Sequence, residues 1–133
     1  MTNKDLLKQY VNSVIDIPTY QFDKLPNNLK ESHRKMMINA IMNDPTNAVY
    51  YHGKLPWNLQ MGLIEEDPKN IQYILDADYD VELRAVELDG FMIQYIHNPD
   101  KELQMAAVID NPRAIGYIQN PDPEVVEYVG DDY

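Results

Sequence analysis

The chain has 133 residues, 44% of them hydrophobic, with no cysteine and a formal net charge of −11. That length suits one domain, and that apolar content excludes a wholly disordered chain. No run of 18 apolar residues offers a membrane span, the start Met1-Thr2-Asn3-Lys4-Asp5 lacks the apolar stretch of a signal peptide, and without thiols there are neither disulfides nor thiolate metal sites, so a cytoplasmic protein is expected.

In chain order, Thr2 with Asp5 resembles a capping box, and Leu6, Leu7, Tyr10, Val11, Val14 and Ile15 form the apolar stripe of a helix over about 3–15. Pro18 and Pro26 then bracket an irregular stretch containing Tyr20 and Phe22. A second helix is predicted over about 27–43. We read residues 1–34 as an N-terminal helical cap, because terminal repeats need an atypical flank.

From about residue 35 the chain is periodic. Tyr73, Tyr95 and Tyr117 are 22 apart, as are Ile71, Ile93 and Ile115, then Ile74, Ile96 and Ile118, and Asp78, Asp100 and Asp122. Met61, Leu83 and Met105 keep the step, with Ile64, Val86 and Val108, Leu103 and Val125, and Pro99 and Pro121. Asp44-Pro45-Thr46-Asn47 before Tyr50 mirrors Asp67-Pro68-Lys69-Asn70 before Tyr73 with a one-residue slip. Units are placed at about 35–54, 57–76, 79–98, 101–120 and a truncated 123–133, within one domain overall.

Within the unit at 100–120, Asp100 is suited to cap a helix, its carboxylate accepting from free first-turn amides. Leu103, Ala106, Ala107 and Ile109 or Val108 recur at helical spacing. Asp110-Asn111-Pro112 stops that helix and starts a shorter one, whose apolar face is Ala114, Ile115, Tyr117 and Ile118. Helices this short are marginal alone and need stacked neighbours, which is the physics of a solenoid. Strands are excluded, because Pro and Asp punctuate every candidate. The expected fold is all-α: an α-solenoid of about 22-residue, two-helix repeats with an N-terminal helical cap.

The strings Asn98-Pro99-Asp100-Lys101-Glu102-Leu103-Gln104-Met105-Ala106-Ala107-Val108-Ile109-Asp110-Asn111-Pro112 and Asn120-Pro121-Asp122-Pro123-Glu124-Val125 resemble the leucine-rich-repeat-variant class. The resemblance covers roughly 57–129 and implies stacked units of an α-helix and a shorter, often 3₁₀, helix. The step of 22 is shorter than that class leads one to expect, and Ile, Tyr and Met take the place of Leu. The overall style also resembles small phage-encoded proteins, which would place the chain in a host cytoplasm.

Charge divides the chain. Residues 1–54 carry 7 Lys/Arg against 5 Asp/Glu, a balance of +2, whereas residues 55–133 carry 4 against 17, a balance of −13. An acidic surface repels phosphate backbones and attracts basic ones, so no direct nucleic-acid binding is expected; acidity also serves plain solubility. Asp76-x-Asp78-x-Asp80-x-Glu82 with Glu87 has calcium-loop spacing, but Val81 stands where the turn needs glycine, and register with Asp100 and Asp122 points to capping instead. No metal or cofactor is assigned. Nucleophilic catalysis lacks material: the hydroxyl of Ser32 and the ring of adjacent His33 would point about 100° apart on a helix. No enzyme activity is expected.

The tyrosine ladder reads as a half-buried column, whereas Tyr50, Tyr51 and Trp57 are contact candidates. With Glu65, Glu66, Asp80, Glu82, Glu87, Asp89 and Glu102 they form the expected partner-binding set, beside Asp76, Asp110, Glu124 and Glu127 on the same acidic run. The expectation is a protein-binding module that docks on a basic surface of its partner, in its most concrete form a phage-type inhibitor of a host defence or nucleic-acid-processing protein. The alternatives are a self-assembling structural protein, favoured by Tyr and Met, and a calcium-binding or acid–base enzyme.

Overall fold

A computed structural model describes residues 19–130. Every regular element among them is helical, with no strand. The α-helices are α1 (Thr19–Asp23), α2 (Asn27–Asn43), α3 (Trp57–Glu66), α4 (Tyr79–Leu88), α5 (Lys101–Asp110) and α6 (Pro123–Val129). Short 3₁₀ helices alternate with them: η1 (Pro45–Tyr50), η2 (Pro68–Tyr73), η3 (Gly90–Tyr95) and η4 (Pro112–Tyr117). Helix α2 has the bounds its sequence suggests. The expected helix over 3–15 lies outside the described residues. The stretch holding Phe22 is helical instead of irregular, one turn anchored by a Phe22 side chain that is only 2% exposed.

The junction between each α-helix and the following 3₁₀ helix is made by an Asp or an Asn. Asp44, Asp67, Asp89 and Asn111 each donate their backbone N–H to the carbonyl four residues back, Ala40, Leu63, Ala85 and Ala107 respectively, ending the α-helix. Each side-chain oxygen then accepts from the N–H two residues on, at Thr46, Lys69, Phe91 and Arg113, over 3.0–3.1 Å. A short side chain that bonds its own backbone two residues ahead is the reason Asp and Asn favour such turns. Where Asn follows three residues later, its amide also closes on a helix carbonyl: Asn47 on Ala40 and Asn70 on Leu63.

The chain forms two compact units, one running to Leu55 and including Tyr73–Leu75, the other comprising Pro56–Gln72 and the chain from Asp76 onward. In the first, α2 packs on η1, and Met36 and Tyr51 cover buried Met37 and Ala40. In the second, α4 packs on α3 and α5, α5 on η3, η4 and α6, and η3 on η4. The helices α3, α4, α5 and α6 start at residues 57, 79, 101 and 123. Their core is Leu63, Ile64, Val81, Ala85, Val86, Leu103, Ala107, Val108 and Val125. Each buried Val, Leu or Ile contributes about 1.5–3 kcal/mol, which ten-residue helices need.

On α5 the buried side chains are Leu103, Gln104, Ala107 and Val108, two i,i+4 pairs. Ala106 is half-buried and Ile109 is 60% exposed, so the core face lies one position away from Ile109. Gln104 is buried because its amide is bonded on both sides: it donates to the Pro99 carbonyl (2.9 Å) and accepts the Asp122 N–H (2.8 Å). Gln60 likewise accepts the Asp78 N–H at 2.9 Å.

Candidate functional site

The acidic residues in the second unit fall into three groups. The first group is bonded within the fold. At the start of each helix stands a donor that reaches the second residue of the next helix, 23 positions on. Trp57 Nε1 donates to Asp80 (2.9 Å), the Tyr79 hydroxyl to Glu102 (3.1 Å) and Lys101 Nζ to Glu124 (3.2 Å). Tyr79 also reaches Asp100, at 2.9–3.0 Å. Desolvation of its hydroxyl, and then the two carboxylates, hold it well above the usual phenol range. Trp57, Asp80 and Glu102, expected as contact residues, are exposed and also belong to a row of intramolecular bonds. Their regular spacing was visible, but a shared function for Trp, Tyr and Lys was not.

The second group is paired or capping. Arg84 Nε donates to Glu65 at 2.6 Å, and that hydrogen bond holds the Glu65 carboxyl below its usual range. Asp89 caps η3 through Phe91, and Asp110 accepts the Gly90 N–H at 2.8 Å. The capping expected of Asp78, Asp100 and Asp122 is not uniform. Asp100 accepts from Leu103 N–H (2.9 Å) and Asp122 from Glu124 N–H (2.9 Å). No side-chain hydrogen bond from Asp78 caps α4; its carboxylate faces the Gln60 amide at 3.4 Å. Among the described residues no three carboxylates or histidines converge as a metal site would need.

The third group is available. Glu66, Glu87 and Glu127 are exposed and make no side-chain bond among the described residues. Glu82 is half-buried on α4, at the position that Gln60 and Gln104 occupy on α3 and α5. Burial, then the charges of Asp100 and Asp76, push its carboxyl above the ordinary value.

Glu87 and Glu102 border a groove of about 740 Å³ between α4 and α5. Leu83, Met105, Ala106 and Ile109 make its lining mainly apolar, and Lys101 and Asp110 complete the edge. Sequence reasoning missed this groove, although the row of Met61, Leu83 and Met105 passes through it.

In the first unit Tyr50 is exposed, whereas Tyr51 is half-buried and packed on Met37 and Ala40. Burial raises the Tyr51 hydroxyl, and Arg34 partly offsets this. Trp57 belongs to the second unit. Beneath the first unit's surface lies an aromatic cluster: Phe22 stacks on His52 with centroids 4.2 Å apart, and His33 is 5.8 Å from His52. Arg34 Nε donates to the His52 carbonyl at 3.0 Å. The Nε2 atoms of both histidines are buried without a hydrogen-bond partner among the described residues. Burial, then His52, lower the His33 pKa below 6.5, so the ring is neutral at pH 7.

No helix among the described residues is long and apolar enough to cross a membrane. Compared with known protein families, curated proteins and solved structures, the chain matches none.

Proposed function

We propose that the chain is a helical-repeat interaction module, a short solenoid of 22-residue, two-helix units whose acidic surface docks on a basic surface of a partner protein. The supporting observation is charge that the fold does not use. From residue 55 onward 4 Lys/Arg stand against 17 Asp/Glu, and Glu66, Glu87 and Glu127 are exposed with no side-chain bond among the described residues. Such a surface steers basic partners toward it. It also suits an inhibitor that fills a channel built for phosphates, the phage-type role implied by the sequence style. On this reading the chain has no catalytic role and does not itself bind nucleic acid.

The test is capture from lysate on the immobilised chain, in parallel with a triple variant, Glu66→Lys, Glu87→Lys, Glu127→Lys. One stoichiometric protein is expected at about 0.1 M salt and is released at about 0.5 M, where the screening length has shrunk to a few ångströms. The triple variant should not retain it. A partner that stays bound at high salt, or that binds the variant equally, overturns the electrostatic reading.

A further inference from the structure

We infer that the groove between α4 and α5 receives a basic amphipathic helix of a partner protein. This rests on the acidic-surface reading and assigns it a place and a partner chemistry.

The groove joins two properties that seldom coincide by accident of solubility. Its lining is apolar, and Ile109 is 60% exposed there although Ala107 and Val108 beside it are fully buried. Ile109 thus adds exposed apolar surface to a helix whose core face is made by Leu103, Gln104, Ala107 and Val108. Met105 adds an unbranched, adaptable side chain of the kind that accommodates varied apolar anchors. Around this lining stand Glu87, Glu102 and Asp110. The cation in the lining, Lys101, is engaged by Glu124 at 3.2 Å and so does not neutralise them. Arg84, whose charged form Glu87 favours, is likewise committed to Glu65. Glu102 and Asp110 stand at this edge while accepting from Tyr79 and Gly90.

An apolar trough with carboxylate edges is complementary to a helix with apolar residues at i, i+3, i+4 and i+7 and Lys or Arg on both flanks. Another copy of this chain is disfavoured, because two surfaces drawn from a region of balance −13 repel. A neutral apolar ligand would leave the carboxylates unused.

The experiment titrates the full chain with a synthetic Leu/Lys helical peptide of that pattern. Two controls accompany it: a peptide of equal charge with every Leu replaced by Ser, and one of equal apolarity with every Lys replaced by Glu. Saturable binding of the first alone is expected. Ile109→Ser should weaken it about tenfold, the effect of removing one buried apolar anchor, and Glu87→Gln should weaken it and flatten its salt dependence. Ile109 is exposed, so its variant keeps the helical circular dichroism of the parent. If the Ser peptide binds as well as the Leu peptide, the acidic surface stands and the groove falls. If binding survives Ile109→Ser but not Glu66→Lys, the site lies elsewhere on that surface. Binding of the Glu peptide, or Ile109-dependent self-association in sedimentation, overturns both the partner chemistry and the groove's assignment.

Discussion

A single residue can be tuned by a neighbour far along the chain, and two glycines, one so tuned and one not, show the contrast. A Cβ built on Gly90 would lie 2.3 Å from the Ala107 carbonyl oxygen and 3.1 Å from its carbon, both backbone atoms of α5 that cannot step aside. Gly90→Ala should therefore destabilise by about 1–3 kcal/mol, the usual cost of overpacking. Gly62, inside α3, has nothing within 4 Å of the same position. Gly62→Ala should stabilise by about 0.5–1 kcal/mol, because glycine sacrifices more chain freedom in a helix. Urea melts of the two variants should move in opposite directions. Glu82 offers a third case. Its carboxyl is raised above 4.5 by burial and by Asp100 and Asp76, so the fold binds its proton more tightly than the unfolded chain does. Its contribution to stability is thus greatest below pH 4.5 and is lost as pH climbs through the raised value. Glu82→Gln, restoring the residue found at positions 60 and 104, should raise stability at pH 7 by about 0.5–1 kcal/mol. It should give no gain near pH 3; a gain of equal size at both pH values would contradict the assignment. His33 acts in the opposite sense, its lowered pKa removing stability as pH falls below 6.5. None of this was legible in the sequence, where Gly90 is a turn residue and Glu82 one acid among many. The deciding groups sit elsewhere in the chain: Ala107 is 17 residues from Gly90, and Asp100 is 18 from Glu82.

Helices and their junctions were far more legible. Asp or Asn followed by Pro or Gly marks each passage from α-helix to 3₁₀ helix, and those residues act locally, through bonds two to four positions long. The row of bonds from one helix start to the next escaped notice for a physical reason. Trp57, Tyr79 and Lys101 share no hydropathy, size or charge; they share only a proton to donate across 23 residues. The acids that accept those bonds, Asp80, Glu102 and Glu124, read in the sequence as parts of an acidic contact face, because nothing local marks a donor 23 residues back. Trp57→Phe keeps an aromatic ring and removes the donor. It should cost about 0.5–1 kcal/mol, the net worth of one hydrogen bond near the surface. Because the chain has 1 tryptophan, indole emission reports on that bond directly: Asp80→Asn should shift the emission, whereas Glu66→Gln should leave it unchanged.

For the molecule as a whole, the division of charge was readable from residue counts, but the groove was not, because helical spacing alone left Ile109 and Val108 as alternatives for the core. A net charge of −11 within so short a chain stores self-repulsion that counter-ions relieve. Raising sodium chloride from about 0.02 to 0.2 M, which shortens the screening length from roughly 20 to 7 Å, should raise the melting temperature; a fall would mean that Arg84–Glu65 and Lys101–Glu124 outweigh the repulsion. The recurring bonds have one more consequence, which concerns how such a chain is edited. Gln60 and Gln104 reach 18 residues ahead, and Trp57, Tyr79 and Lys101 reach 23. Both lengths stay in frame if a block of 22 is removed. Excision of residues 79–100 would present Glu102 to Trp57 and leave a shorter protein with its remaining bonds intact. Loss of a single residue between Tyr79 and Glu102 would put that pair out of step while the flanking bonds of Gln60 and Gln104 keep their length. On the repeat reading proposed above, length variation would be quantised, with whole blocks of 22 gained or lost; the check is that a chain lacking residues 79–100 keeps cooperative helical melting and one lacking Tyr79 alone does not.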